Sequence, residues 1–261
     1  MAVALQASSV ATVNTYSGVS TSGAQTYAIG GATLTGTAMM VMSISYTSAS
    51  TTATDITSIT DSHGNTWQRY AKQVFNSGWR TAATNSGTQR NAGVELWYTF
   101  NATCTNTINV TVNHSGTIDA AVAVLSGKLT GFDTTQPWDQ NSSLPALGRG
   151  GLSSATVPSV TGVSSNTASV YPVWASCAFS SNIGNQSVTF NGVSRTDTTN
   201  NQKNNTEFVR GNLSYGPSAA AYSGVTYTGA TNNDNWTVIG GAITANSQVN
   251  LAARPYAALI G

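Results

Sequence analysis

The sequence contains few charged residues. Only 7% of its 261 residues are Asp, Glu, Lys or Arg, whereas typical soluble domains carry about 25%. The formal net charge is +1, and no charged side chain precedes Asp55. Nucleic-acid binding requires a basic surface that neutralises phosphates, so nucleic acid is not an expected partner. A surface that relies on hydroxyl and amide groups is more typical of secreted proteins, bacterial surface modules and virion coat components than of cytosolic enzymes.

Cysteine and histidine are also scarce, with two of each. Cys104 and Cys177 lie in opposite halves of the chain. They either form one disulfide between strands or remain two separate buried thiols. Their spacing does not match a zinc site, which needs clustered ligands. We therefore expect no metal and no cofactor.

Long hydrophobic runs are missing as well. The longest, AMMVMSI (38–44) and AAVAVL (120–125), are far shorter than the roughly 20 residues that span a bilayer, so membrane insertion is not expected. The N-terminal MAVALQASSV has neither a basic region nor a sustained apolar stretch, and is not predicted to be a secretory signal. This pattern fits a protein assembled inside a cell and released by lysis. The alternative is a mature chain whose signal has been removed.

Alternation of apolar and polar residues with period two is the dominant pattern, and helical periodicity is nearly absent. Because hydrophobic residues make up 40% of a chain long enough to bury a core, we predict an all-β fold. Pro172 predicts an edge strand or a bulge in its segment. The segments predicted to be strands, separated by Gly, Asn and Ser clusters, are 41–48, 93–100, 108–115, 120–127, 168–181, 186–192, 225–230 and 235–244.

The predicted strands follow a similar order in two halves, about 1–127 and 150–245. This order predicts an internal pseudo-repeat, with each half giving about four strands to one antiparallel, two-sheet, jelly-roll-like sandwich. Each half alone would expose an apolar sheet face, so we expect residues 1–261 to form a single domain. Residues 128–149 would link the halves, and residues 246–261 would form an apolar C-terminal tail.

The segment ITDSHGNTWQRY (59–70) is predicted to be a tight turn between two strands. Asp61 can accept a hydrogen bond from the backbone two residues on, and Gly64 can supply the positive φ that closes a hairpin. A calcium site built from Asp55, Asp61 and Asn65 is the alternative, but the spacing of an EF-hand loop is missing. The turn explains these residues without a ligand.

Signatures of catalysis are missing from the sequence. No G-x-S-x-G nucleophile elbow occurs in a plausible context. The nine acidic residues are scattered, and Glu95 and Glu207 are the only glutamates, so no carboxylate pair for glycoside hydrolysis can be recognised. Glu95 alternates with apolar neighbours and is predicted to face solvent. We therefore predict a protein that is not an enzyme. An enzyme acting on polysaccharide is the third hypothesis, after the two functions given below.

Several motifs follow one another in a recognisable order: DSHGNTW (61–67), LWYTF (96–100), NTINVTV (106–112), an alanine-rich strand that ends in SG, Pro137-Trp138-Asp139 and NWTVIGGAI (235–243). This order resembles β-sandwich modules of bacteriophage structural proteins and of some bacterial surface proteins. The resemblance covers most of residues 40–245 and implies no catalytic residues. It implies a virion structural protein on the outer surface of the particle, a capsid decoration, head-fibre or tail-associated subunit. The expected partners are other virion proteins and copies of this chain.

Carbohydrate binding is the alternative function, as a secreted or cell-surface module or adhesin with a host-surface glycan as its partner. Sugar sites combine aromatic platforms with hydrogen-bonding amides and acids. Trp79 beside Arg80 in a polar loop is the first candidate contact. Trp138 with Asp139 is the second, although the resemblance places Trp138 where it packs inward. The other four tryptophans lie in strand patterns and are expected to be buried, namely Trp67, Trp97, Trp174 and Trp236.

Overall fold

The structure of the protein is a computed structural model. It describes residues 3–5, 13–20, 23–30, 38–48, 55–75, 91–103, 107–116, 118–150, 160–166, 170–179, 187–189, 196–204, 207–215, 223–228 and 235–246. The strands within these ranges are β1 (Ala4–Leu5), β2 (Val13–Ser20), β3 (Gly23–Gly30), β4 (Met39–Ser48), β5 (Asp55–Asp61), β6 (Gln68–Phe75), β7 (Asn91–Phe100), β8 (Thr107–Ser115), β9 (Ile118–Thr130), β10 (Ala146–Gly150), β11 (Val160–Ser164), β12 (Val170–Phe179), β13 (Ser187–Thr189), β14 (Thr196–Asn204), β15 (Glu207–Tyr215), β16 (Ser223–Thr228) and β17 (Asn235–Thr244).

The strands form four antiparallel sheets. A six-stranded sheet has the order β1-β9-β4-β7-β6, with β2 also beside β9, and a five-stranded sheet has the order β10-β17-β12-β15-β14. Two three-stranded sheets have the orders β3-β8-β5 and β11-β16-β13. This confirms the predicted all-β sandwich fold, which the structure distributes over four sheets. In the part of the chain that the structure describes, no helix is long and apolar enough to cross a membrane.

The four sheets are stacked, with apolar side chains between each neighbouring pair. The central core lies between the two larger sheets and includes Met39, Val41, Leu96, Tyr171, Val173, Leu213 and Ile239. The first outer core lies between the six-stranded sheet and β3-β8-β5, and includes Met42, Ile44, Tyr46, Ile59, Trp67, Trp97 and Val110. The second outer core lies between the five-stranded sheet and β11-β16-β13, and includes Val163, Val170, Trp174, Val238 and Ala242.

Strand β4 shows how this stacking buries both faces of one strand. All ten of its residues are buried, because β4 is an inner strand of a sheet that is covered on both sides. Met42 and Ile44 face the first outer core, and Val41 faces the central core. The serines of β4 are therefore buried too, and the Ser45 hydroxyl donates a hydrogen bond of 2.9 Å to the Ser176 carbonyl on the facing sheet.

The strand order is the same in both halves of the chain. The order β9-β4-β7-β6 in the first half corresponds to β17-β12-β15-β14 in the second, and β3-β8-β5 corresponds to β11-β16-β13. In addition, β2 pairs with β9 as β10 pairs with β17. The superposition of the two halves as a pseudo-repeat stays a prediction.

Pro172 predicts an edge strand or a bulge, and the edge strand is wrong. Strand β12 is an inner strand, with β17 on one side and β15 on the other. Pro172 pairs with Ala242 of β17, but the described register with β15 begins one residue later, at Val173.

Candidate functional site

Residues 61–67 connect strands of two different sheets. The predicted hairpin is wrong, because β5 pairs with β8 in a three-stranded sheet whereas β6 pairs with β7 in the six-stranded sheet. We call this connection the arch. Alternation on both sides of a turn fits a hairpin and an arch equally well, since it shows which faces are buried but not which strand lies alongside. Trp67 at the end of the arch is buried in the first outer core.

The Asp61 carboxylate holds the arch together. Oδ1 accepts hydrogen bonds from the backbone N–H of His63 at 2.8 Å and of Asn65 at 3.1 Å. Oδ2 accepts bonds from Asn65 Nδ2 at 2.9 Å and from Trp67 Nε1 at 2.7 Å. Gly64 has a φ of 71°. The turn predicted from Asp61 and Gly64 is therefore confirmed, although it joins two sheets.

The arch is also tied to the loop that follows β7. Asn65 Nδ2 donates a bond of 2.9 Å to the Thr103 carbonyl, and Asn65 Oδ1 accepts one of 2.7 Å from the Thr103 N–H. Between the arch and this loop lies an open recess of about 350 Å³. We call it the arch recess; it is lined by His63, Gly64, Asn65, Thr66, Gln68, Phe100, Asn101 and Thr103.

The arch recess is lined mainly by polar residues. None of its lining residues is an acid, a lysine or an arginine. Gln68 is oriented by Tyr98, whose hydroxyl donates a bond of 2.7 Å to Gln68 Oε1. This bond leaves Gln68 Nε2 available as a donor. Asn101 adopts the left-handed backbone conformation, with a φ of 58°. The recess can therefore supply hydrogen bonds to an uncharged polar ligand.

A second constellation surrounds Glu95, and here the prediction of solvent exposure is wrong. Glu95 is 0% exposed, because its face of β7 looks into the first outer core beneath β3-β8-β5. Its Oε1 accepts a hydrogen bond of 3.1 Å from the Ile56 N–H. Its Oε2 accepts bonds from Trp97 Nε1 at 3.0 Å and from Arg69 Nη1 at 3.3 Å.

Two cations of β6 connect Glu95 to the surface. Arg69 Nη1 lies 2.8 Å and Lys72 Nζ 2.7 Å from Asp55 Oδ1. The Arg69 guanidinium also lies 5.6 Å from the centre of the Trp97 ring, a cation–π contact. We call Asp55, Arg69, Lys72 and Glu95 the ion cluster. It lies between the edge strands β5 and β6, where inward-pointing charge discourages pairing with another chain.

The environment shifts the pKa values of the two acids of the ion cluster in opposite directions. Burial raises the pKa of Glu95, and its bond from Ile56 and the nearby Lys72 and Arg69 offset this only in part. Burial also acts to raise the pKa of Asp55, but the hydrogen bonds and charges of Lys72 and Arg69 outweigh it, so that this pKa is lowered.

A β-bulge explains why the ion cluster could not be recognised in the sequence. Arg69 and Lys72 are three residues apart, a spacing that puts side chains on opposite faces of a regular strand. In β6 the register shifts between Arg69 and Ala71, so that Arg69 lies opposite Trp97 and Lys72 lies opposite Glu95. Both cations therefore reach the same face.

The predicted ligand contacts Trp138 and Asp139 already have partners within the chain. Trp138 is 5% exposed and stacks on Tyr70 with ring centres 3.8 Å apart. Asp139 Oδ1 accepts bonds from the N–H groups of Asn141 at 2.9 Å and Asn166 at 3.0 Å. Trp79 and Arg80 lie outside the described residues, so contact of these four residues with a ligand stays a prediction. Among the other tryptophans, Trp67, Trp97 and Trp174 are buried and Trp236 is half-buried.

Cys177 is a free, buried thiol in the central core. Its Sγ lies 3.5 Å from the Tyr46 carbonyl, to which it donates a hydrogen bond. Burial raises its pKa to about 12. Cys177 therefore fits the alternative of two separate buried thiols. Cys104 lies outside the described residues.

The calcium alternative has no support in the described part of the chain. No group of three or more His, Cys, Asp or Glu residues there could hold a metal ion. Asp55 belongs to the ion cluster, whereas Asp61 and Asn65 bond to each other and to the backbone of the arch and of Thr103.

No protein-family model, no curated protein and no solved structure matches this chain. The similarity to bacteriophage β-sandwich modules therefore rests on the sequence motifs alone.

Proposed function

We propose that the protein is a bacteriophage virion structural protein without enzymatic activity. In this proposal it is a capsid decoration, head-fibre or tail-associated subunit on the outer surface of the particle. It acts by packing symmetrically against copies of itself and against other virion proteins. One observation carries the proposal. Every acidic side chain whose contacts the structure describes makes hydrogen bonds or ion pairs within the chain.

Three of these carboxylates hold turns and two belong to the ion cluster. Asp61 fixes the arch, and Asp139 fixes the loop before β10 through Asn141 and Asn166. Asp133 Oδ1 accepts bonds from the N–H groups of Thr135 and Gln136 at 2.8 and 3.0 Å. General acid–base chemistry needs a carboxylate that can reach a substrate proton. The bonding of these acids supports a structural role instead.

The low charge of the chain also supports a role in subunit packing. Copies with a formal net charge of +1 repel one another only weakly, so charge does not oppose dense arrays on a particle. The edge strands of the described sheets other than β5 and β6 are candidate surfaces for such contacts.

Mass spectrometry of purified particles from the source would test this proposal. The copy number of the chain is measured relative to the major coat protein, with an abundant host protein of similar mass as the control for contamination. Copies approaching those of the coat protein would support a decoration subunit, and a few copies per particle would support a tail or fibre subunit. Enrichment no greater than that of the host protein would overturn the proposal.

Carbohydrate binding is the second candidate function, and the arch recess favours it. The recess offers amide and hydroxyl groups and the partly buried ring of Phe100 in one open depression, a combination found in sites for polar small molecules. A virion surface protein can also bind a glycan, so the two candidates are compatible. A glycan array probed with the fluorescently labelled full chain would test for this function.

A further inference from the structure

We propose that the arch recess binds a single uncharged sugar residue, with hydrogen bonds from Thr66, Gln68, Asn101 and Thr103 and with Phe100 as the apolar contact. This inference rests on the second proposed function and gives it a site and a ligand class. Trp138 and Asp139, two of the four contacts that the sequence suggests, are not among the lining residues of the recess.

The walls of the recess are held in place without a ligand. Asn65 makes two bonds to the backbone of Thr103 and two to Asp61, so the arch and the loop after β7 are fixed relative to each other. Tyr98 fixes the amide of Gln68. A site that is already ordered loses less conformational entropy when it binds a ligand.

The lining groups that remain open are neutral donors and acceptors. Within the described part of the chain, the Thr66 and Thr103 hydroxyls, the Asn101 amide and Gln68 Nε2 make no hydrogen bond to protein. The nearby cations Arg69 and Lys72 are engaged by Asp55 and Glu95. A phosphate, a carboxylate or a metal ion would thus find no lysine, arginine or acid in the lining, whereas an apolar ligand would leave these groups without partners.

Phe100 adds the apolar component of the site. Its side chain is half-buried, packs against the central core and stacks on Tyr98 with ring centres 6.2 Å apart and planes inclined by 19°. A ring supported from one side offers a fixed surface to the C–H face of a sugar. The volume of about 350 Å³ lies near the lower end of the range for ligand sites, which favours a small ligand over a long chain.

NMR titration of the isotope-labelled full chain tests this proposal. The probes are methyl α-D-glucopyranoside, methyl α-D-galactopyranoside, methyl α-D-mannopyranoside and N-acetylglucosamine, with sodium phosphate and sodium acetate as charged probes. We expect at least one sugar to cause saturable shifts of the backbone amides of Thr66, Gln68 and Thr103, with a dissociation constant in the millimolar range. The charged probes should leave these amides unshifted.

Two variants locate the site. Gln68→Ala removes the proposed donor and should weaken sugar binding about three- to tenfold, the effect of one lost hydrogen bond. Asn101→Gly removes the other amide and keeps the left-handed backbone, which glycine adopts without strain; it should weaken binding by a similar factor. Gln136→Ala is the matched control, because it truncates an exposed glutamine outside the recess and should leave binding unchanged.

Each contrary outcome has a distinct meaning. Sugar-induced shifts confined to other residues would overturn the recess as the site and leave carbohydrate binding as a function. Stronger shifts of the recess amides with phosphate or acetate would overturn the ligand class. Equal losses in Gln68→Ala and Gln136→Ala would overturn the role of the recess amides. The absence of binding to any sugar, here and on the glycan array, would overturn both the inference and the second function.

Discussion

The two outer cores have the same strand order and share one packing feature, but they differ in the charge that they bury. Each has a large aromatic side chain packed over a glycine of the neighbouring strand. In the first outer core Tyr46 lies opposite Gly93, and in the second Trp174 lies opposite Gly240. A Cβ atom added at either glycine would lie 2.4 Å from the facing ring. Pairing an aromatic ring with a cross-strand glycine fills the space that the glycine leaves.

The difference between the two cores is the ion cluster. Beside Gly93, the first outer core buries the carboxylate of Glu95 and closes its open side with Arg69 and Lys72. The residues of the second outer core that the structure describes include no acid, lysine or arginine. In the first outer core, the neighbouring edge strand supplies cations and the Ile56 and Trp97 N–H groups supply donors, so the buried charge of Glu95 is compensated from both sides.

Removal of the Glu95 carboxylate should have the largest effect. We expect Glu95→Ala to lower the free energy of unfolding by roughly 3–5 kcal/mol, because it leaves the buried N–H groups of Ile56 and Trp97 without their acceptor and removes the buried charge that Arg69 and Lys72 face. Glu95→Gln retains one carbonyl oxygen and should lose only about 1–3 kcal/mol. Urea denaturation measures both. Equal stability of Glu95→Ala and the parent would show that the ion cluster does not support the first outer core.

The aromatic–glycine pairs should be sensitive to a single added methyl group. We expect Gly93→Ala and Gly240→Ala each to lower the free energy of unfolding by about 1–3 kcal/mol, because the new Cβ overlaps the facing ring. Thermal unfolding measures the loss. The double variant Gly240→Ala/Trp174→Phe should lose less than the sum of the two single variants, because the smaller ring gives the methyl group room. Simple additivity would argue against a direct contact.

The pH dependence of stability should separate the two acids of the ion cluster. Burial raises the folded-state pKa of Glu95 above its ordinary value of 4.5, so the folded protein takes up this proton before the unfolded chain does. Relative to Glu95→Gln, the stability of the parent should therefore rise as the pH falls from neutral through the folded pKa toward 4.5.

The contribution of Asp55 to stability changes with pH in the opposite direction and at lower pH. Its pKa is lowered from 3.8, so its contribution is present above 3.8 and is lost as the pH falls through the folded value. Asp55 remains in both proteins and titrates below the window of the comparison. A constant difference between parent and Glu95→Gln from neutral pH to 4.5, measured by urea denaturation in a pH series, would contradict the assignment to Glu95.

The smallest effect concerns two serines of β4 in the layer between the two larger sheets. Ser45→Ala should cost about 1 kcal/mol, because it removes the hydrogen bond to the Ser176 carbonyl. Ser43 is the matched control: it is equally buried, and its hydroxyl has no hydrogen-bond partner among the described residues. Ser43→Ala should be neutral or slightly stabilising. Equal losses in the two variants would show that packing, not the hydrogen bond, decides both.

Much of the fold and part of the site could be predicted from the sequence. Period-two alternation was sufficient for the all-β prediction, and the buried positions of Trp67, Trp97 and Trp174 follow from it. The turn at Asp61 and Gly64 was predictable because its chemistry is local. The position of Glu95 was not, because alternation identifies two faces of a strand without showing that a third sheet covers the outer one.

The sequence by itself determined what depends on neighbouring residues: strand character, the carboxylate-held turn of Asp61 and the positive φ of Gly64. Only the tertiary structure decided what depends on distant ones. It placed β5 and β6 in different sheets, brought Arg69 and Lys72 to one face through a bulge, and joined the arch to Thr103 around the arch recess. The physical reason is that local preferences are set within a few residues, whereas sheet partners are chosen by the burial of whole faces across the chain.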